Sequence, residues 1–131
     1  MVTRCATVIM APPHRSFQMS AIVCSTYPRA ARGFVLQSMA EIWKDLVAGA
    51  SITVAQRITV RMAATHAIHK AREAVDFAYN AAGATAIFEN HPLERRFRDI
   101  HTVTQQLQGQ IRHFETVGAW MMGAEADLTF V

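Results

Sequence analysis

Charged side chains cluster where a helix is predicted to begin after Pro92. Glu94 and Arg98 are four residues apart, and so are Arg95 and Asp99. Residues at this spacing are neighbours on a helix surface, where opposite charges form weak ion pairs. Spacing alone therefore favours a solvated helix face for this cluster.

Two further pairs of residues have partners about one helical turn apart. Arg57 and Arg61 are four residues apart, a spacing that pairs of surface arginines on a helix often have. His66 and His69 lie within one turn, but two imidazoles do not complete a metal site. A di-iron centre in a bundle needs Glu-x-x-His motifs with carboxylates from facing helices, and the sequence contains no such motif. We therefore predict no metal site.

The elements that position these residues are predicted to be helices. Residues 34–47 repeat apolar side chains at helical spacing. Thr53 and Gln56 form a capping box, which begins a long helix that contains no Gly or Pro as far as Ala82. Gly83 then ends this helix, because glycine adopts left-handed backbone angles without a steric penalty.

A third helical pattern runs from Leu93 to Met121, with apolar residues in alternating steps of four and three. Gly109 and Gly118 lie within it, and a break around Gly109 would divide the pattern into two helices. Both possibilities stay open. Long helices joined by short loops predict an all-α fold, specifically an antiparallel up-down helical bundle.

Residues 1–33 differ from the rest of the chain. They hold three of the four prolines and both cysteines, and they show no clear period of two or 3.6. We predict a leader or irregular segment over 1–33 and one helical-bundle domain over 34–131. Cysteines confined to such a segment do not indicate a disulfide framework, so a reducing compartment is favoured.

Composition bounds the class of protein. Of 131 residues, 51% are hydrophobic and 18% charged, a balance typical of one globular domain. The formal charge of +3 is spread along the chain, whereas nucleic-acid-binding proteins cluster their basic residues. No stretch approaches the roughly 20 apolar residues of a membrane helix. We predict a cytoplasmic protein with no membrane span and no nucleic-acid partner.

A more specific pattern joins a glycine turn to an arginine-rich helix start: AGATAIF over 82–88, then PLERRFRDIH over 92–101. This order resembles the C-terminal helical domain of the acyl-CoA dehydrogenase superfamily. More narrowly, it resembles the branch that includes two-component flavin-dependent monooxygenases. The resemblance covers about 39–123. It implies a larger flavoprotein with an N-terminal helical domain and a middle β-barrel domain, neither of which this sequence contains.

The resemblance also implies roles for single residues. Arg95, Arg98 and Asp99 match residues that organise a subunit interface near the flavin. Positions beside the flavin itself, which would be FAD or FMN, are matched by a second set: Arg57, Arg61, Gly83, Ala84, His101 and Gln106.

Three positions depart from the family pattern. Ala84 replaces the second of two paired glycines, and Leu107 stands where many acyl-CoA dehydrogenases carry their general-base glutamate. Gln106 occupies the position of a histidine in the monooxygenase branch, and glutamine cannot exchange a proton near neutral pH. No catalytic residue is therefore assigned.

These features lead to one principal hypothesis. The chain is a C-terminal domain or fragment of an acyl-CoA dehydrogenase-like flavoprotein oxidoreductase, related to the monooxygenases, and it contributes to flavin binding and to assembly of a homodimer or homotetramer. A separate flavin reductase is an implied partner, and the isolated chain is expected to be inactive. The alternative is a non-catalytic helical oligomerisation module, and DNA binding is a third, weaker hypothesis.

Overall fold

The structure, a computed structural model, describes residues 15–129 and 131. It contains four α-helices: α1 (Arg15–Val47), α2 (Val54–Ala82), α3 (Pro92–Gln105) and α4 (His113–Met121). Short 3-10 turns follow α2 at Gly83–Ile87 and α3 at Leu107–Gly109. No strand occurs in these residues, and the predicted all-α fold is confirmed.

Helix α1 begins at Arg15, so the prediction of an irregular segment is wrong for residues 15–33. Pro28 lies inside the helix. Because proline lacks an N–H, it removes one backbone hydrogen bond, yet packing along α2 holds α1 together across this position. Residues 1–14, including Cys5, lie outside the described part of the chain.

A hydrogen-bonded corner joins α1 to α2. The capping box is confirmed: the Gln56 N–H donates to the Thr53 hydroxyl, and the Thr53 N–H donates to the Gln56 side chain at 2.9 Å. The Gln56 amide also donates to Asp45, in the last turn of α1, at 2.6 Å. The two helices are therefore antiparallel neighbours joined by the short loop 48–53.

Helix α2 is the central element, because α1, α3 and α4 all pack against it. Its buried side chains are Ile58, Ala63, Thr65 and His69. The buried apolar residues of the described chain form a small core: Ala31, Ile42, Ile58, Ala63, Ala86 and Val117. Half of them are alanines, so the helix backbones approach closely but little side-chain volume is buried.

Of the two possibilities left open by the sequence, the structure shows the break, since α3 ends at Gln105 and α4 begins at His113. Gly109 is buried, and a Cβ placed there would lie 2.2 Å from the carbonyl oxygen of Val103. The chain therefore turns back against the end of α3 at a point where only glycine fits.

One face of α1 is apolar and uncovered within the described chain. Ile42 on this helix is buried, but five apolar residues that repeat at helical spacing are 42–72% exposed and are here named the α1 stripe: Leu36, Met39, Trp43, Leu46 and Val47. Apolar stripes of this kind normally face a core. Among the described helices, none has the length and the apolar composition that crossing a bilayer would need.

Candidate functional site

Arg57 and Arg61 lie in the first two turns of α2. Arg57 is exposed, and its guanidinium donates a hydrogen bond to the backbone oxygen of Val131. Arg61 is half-buried, and its buried Nε has no hydrogen-bond partner in the described structure. The Arg61 Nε is therefore available to donate to a ligand, whereas the Arg57 guanidinium is already bonded to Val131.

Gly83 and Ala84 lie at the opposite end of α2, and both are exposed. Gly83 has φ +65° and donates its N–H to the carbonyl of Asn80, which confirms its predicted place at the helix end. Gly83 follows Arg57 by 26 residues, or about 39 Å at 1.5 Å per helical residue. Within one chain, these two parts of the predicted flavin set do not meet.

The charged cluster on α3 forms the ion pairs that its spacing predicts. Arg98 lies 2.6 Å from Glu94, and Arg95 lies 3.7 Å from Asp99. The Arg95, Arg98 and Asp99 side chains are 67–81% exposed. Exposed pairs of this kind contribute little to stability, so the three residues are available to an interface.

His101 links α3 to α2 through Asp76. Its Nε2 lies 2.8 Å from the Asp76 carboxylate, and its ring packs against Phe97, with ring centres 4.4 Å apart. Phe97 in turn stacks on Tyr79 of α2 at 4.3 Å. These contacts give His101 a structural role, because they hold α3 against α2.

Gln106 is exposed and ends α3, with its backbone N–H bonded to the carbonyl of Val103. Its own carbonyl accepts the N–H of Gly109 at 2.9 Å. The Gln106 side chain makes no hydrogen bond to any described residue, and therefore remains free to donate and to accept.

Two buried histidines hold the turn that follows Gln106. The Nε2 of His69, on α2, lies 3.0 Å from the carbonyl oxygen of Gly109, and the Nε2 of His113, on α4, lies 2.6 Å from that of Leu107. A carbonyl only accepts, so Nε2 carries the proton in both rings. The sequence gives no signal for either bond, because His69 draws attention only as a neighbour of His66.

A groove of about 340 Å³ lies beside this turn, between α2 and the chain from Thr104 to Arg112. Arg72 of α2 and Arg112 both line it, together with the amide side chains of Gln105 and Gln110. No carboxylate is among its lining residues. The groove therefore has a positively charged wall that the sequence analysis missed, since its residues are 40 positions apart.

A smaller hollow of about 250 Å³ near the C-terminus has a different charge pattern, because Asp127 and Arg112 both line it. The hydroxyl of Thr129 donates to Asp127 at 2.5 Å and lowers the pKa of that carboxyl; the Thr129 N–H, at 3.0 Å, and the positive charge of Arg112 act in the same direction. No group of three His, Cys, Asp or Glu side chains in 15–129 and 131 could hold a metal ion.

The family described as "Acyl-CoA dehydrogenase, C-terminal domain" matches residues 15–110. The chain belongs to this family. The match begins at residue 15, where α1 also begins, so it includes much of the segment that the sequence analysis placed outside the domain.

Several relatives of this acyl-CoA dehydrogenase C-terminal domain are oxygenases by name. An indole-3-acetate monooxygenase of Pseudomonas putida is 31% identical over 74% of this chain, and one of Acinetobacter baumannii is 34% identical over 59%. A pigment production hydroxylase of Rhodococcus erythropolis is 34% identical over 56%. The chain spans only 19–25% of the length of these relatives.

A solved structure confirms the fold. The 3-HSA hydroxylase of Rhodococcus sp. RHA1 superposes with a TM-score of 0.71 over 86% of this chain and 31% of its own, at 22% identity. The resemblance to acyl-CoA dehydrogenase-like monooxygenases is thus confirmed at the level of family and fold.

Proposed function

We propose that this chain is the C-terminal part of a flavin-dependent monooxygenase, in which it forms one wall of a flavin site and part of a subunit interface. The observation that carries the proposal is the 31% identity to the Pseudomonas putida indole-3-acetate monooxygenase over 74% of the chain, within a matched family domain. Because the chain spans 25% of that relative, most of the site would come from other parts of the protein.

The candidate flavin contacts differ in how well their side chains are placed to bind a flavin. The unpartnered Nε of Arg61 suits a phosphate oxygen, and the free amide of Gln106 suits a polar edge of the ring. His101 is the weakest candidate, because its Nε2 is already bonded to Asp76. Arg57 would need to leave Val131 before it could bind a phosphate.

The length of α2 argues for a site shared between subunits. Arg61 and the exposed pair Gly83 and Ala84 lie near opposite ends of the helix, too far apart for one cofactor. We assign Arg61 to one flavin and Gly83 with Ala84 to that of a neighbouring subunit. Arg95, Arg98 and Asp99, exposed on α3, would lie at the interface between the two.

The flavin, FAD or FMN, would supply the redox chemistry, while this chain binds and orients it. Gln106 would hold the ring by neutral hydrogen bonds and would not titrate near neutral pH. The isolated chain would be inactive, and a separate reductase would deliver reduced flavin to the whole protein in the cytoplasm.

Titration of the purified chain with FMN and FAD tests the flavin wall. One wall of a composite site buries little of the ligand, so we expect dissociation constants in the high micromolar range or weaker. Backbone amide NMR shifts should localise near Arg61 and Gln106. Arg61→Gln should weaken binding several-fold, while Arg96→Gln, an exposed arginine of α3, should not. Equal effects of both substitutions would contradict the proposal.

The second candidate, a non-catalytic oligomerisation module, is favoured by one observation, the uncovered α1 stripe. Both candidates predict a dimer or tetramer in sedimentation equilibrium. They differ in flavin binding: an assembled protein whose spectrum and NMR shifts do not respond to millimolar FMN or FAD would support the module.

A further inference from the structure

The groove between α2 and the chain from Thr104 to Arg112 has a chemistry that the flavin proposal does not use. We propose that it binds a small ligand that carries a carboxylate or phosphate group on an apolar body. This inference rests on the groove alone and does not depend on flavin binding.

Arg72 supplies the first reason, because it holds a buried donor without an acceptor. Its Nε is buried and has no hydrogen-bond partner in the described structure. Asp76 forms an ion pair with Arg72, but its nearer oxygen is 3.8 Å from the Nε, beyond hydrogen-bond reach, and its other oxygen is bonded to His101 at 2.8 Å. A buried donor left unpaired is costly, and an oxyanion in the groove would satisfy it.

Arg112 supplies the second reason, since it lines the groove from the far side of the turn. Arg112 is exposed and its guanidinium makes no hydrogen bond to a described residue, although Asp127 offers it a weak electrostatic partner. Two guanidinium groups on one groove, with no carboxylate in its lining, favour an anion over a cation or a neutral ligand.

The remaining lining defines the rest of the ligand. Gln105 and Gln110 add uncharged amides that can donate to an anion, whereas the Thr104 hydroxyl is already donating to the carbonyl of His101. Ile111 lines the groove and is 62% exposed, so it offers an apolar surface. A volume near 340 Å³ lies at the small end of ligand pockets, about the size for one ring with a charged group.

The groove is also preformed. His69 lines it and lies 3.0 Å from the Gly109 carbonyl oxygen, and Gly109 lies so close to the Val103 backbone that a Cβ would not fit between them. A wall held in this way loses little conformational entropy when a ligand binds, which increases affinity for a small molecule.

The test is calorimetric titration of the full chain with three probes of similar size: phenylacetate, phenyl phosphate and uncharged 2-phenylacetamide. We expect at least one anion to bind at least tenfold more tightly than the amide, and the tighter anion identifies the natural charged group. Arg72→Gln should weaken that binding about tenfold, as expected when one charge-assisted hydrogen bond is lost. Arg96→Gln, with its exposed guanidinium outside the groove, is the matched control and should leave the affinity unchanged.

Three results would overturn the proposal. The first is no binding of either anion at 10 mM, and the second is equal affinity for the amide. The third is a loss of affinity in Arg96→Gln as large as in Arg72→Gln, which would mean attraction to general surface charge. Circular dichroism of each variant should match that of the parent chain. If Arg72→Gln unfolds, Arg112→Gln, at an exposed position, gives the same comparison.

Discussion

His69 and His113 come from two different helices and donate to carbonyls of the same turn, Leu107–Gly109. A buried carbonyl that loses its donor pays the full desolvation cost, so each bond matters more than its net energy in water would indicate. The turn connects Gln106 to the groove, and both candidate sites therefore depend on these two imidazoles.

Replacement of His69 by alanine should destabilise the protein by about 1–3 kcal/mol, because the Gly109 carbonyl would lose its donor in a buried position. The matched control is His66→Ala on the same helix, a half-buried histidine whose imidazole makes no hydrogen bond in the described chain. Its effect should stay within about 0.5 kcal/mol. Urea unfolding followed by circular dichroism measures both, and equal losses would show that the His69 bond contributes nothing specific.

Thr129→Val should raise the pKa of Asp127, since the hydroxyl at 2.5 Å is the largest cause of its lowering. The backbone N–H remains and keeps part of the effect. A carboxyl whose pKa is lowered on folding stabilises the fold above its unfolded pKa, and this contribution is lost as pH falls through the folded pKa. Carbon-detected NMR titration measures the change. Thr116→Val, in the same hollow, should leave the Asp127 pKa unchanged.

At the scale of elements, glycine decides where the third helical pattern divides. Gly109 and Gly118 lie in the same apolar pattern, but only Gly109 lies in the turn between two helices, whereas Gly118 lies inside α4. The difference is steric: a Cβ at Gly109 would meet the Val103 backbone, whereas one at Gly118 would meet nothing within 4 Å. Glycine content alone does not separate these cases.

Alanine substitution should therefore act in opposite directions at the two positions. Gly109→Ala should destabilise by about 1–3 kcal/mol, because the backbone must shift to admit the new Cβ. Gly118→Ala should stabilise by about 0.5–1 kcal/mol, since alanine has less freedom to lose in a helix. Thermal and urea unfolding give both signs, and a stabilising Gly109→Ala would show that the turn is looser than the structure indicates.

At the scale of the whole molecule, the balance of buried and exposed apolar surface points to a missing neighbour. The core of the described chain is made largely of small residues, while the α1 stripe and other large apolar side chains stay open to solvent. A contiguous apolar face of this kind marks an interaction surface or an aggregation liability. This supports the proposed assembly.

Trp43→Glu should shift the assembled protein toward monomer, because Trp43 is 69% exposed within one chain and a charge at a covered interface is costly. The control, Met122→Glu, changes a residue that is 82% exposed, follows α4 and is not part of the stripe. It should leave the assembly intact in sedimentation equilibrium. A monomeric parent chain, or equal shifts in both variants, would remove the assembly role of the stripe.

Local features of this protein follow from sequence alone. The capping box at Thr53 and Gln56, the helix end at Gly83 and the surface ion pairs of α3 each involve residues within four positions of one another, so their spacing decides them. Proline composition misled the prediction for 15–33, because a helix that packs along a neighbour tolerates Pro28. The family motif over 82–101 was equally readable, since it is contiguous.

Only the tertiary structure decided the rest. The bond from His69 to Gly109 spans 40 residues, that from His101 to Asp76 spans 25, and the groove brings Arg72 to Arg112. Such pairs depend on which helix faces pack together, and this is set by the summed contacts of all four helices. For the same reason, the periodicity of α1 predicted a helix but not that its apolar stripe would remain uncovered.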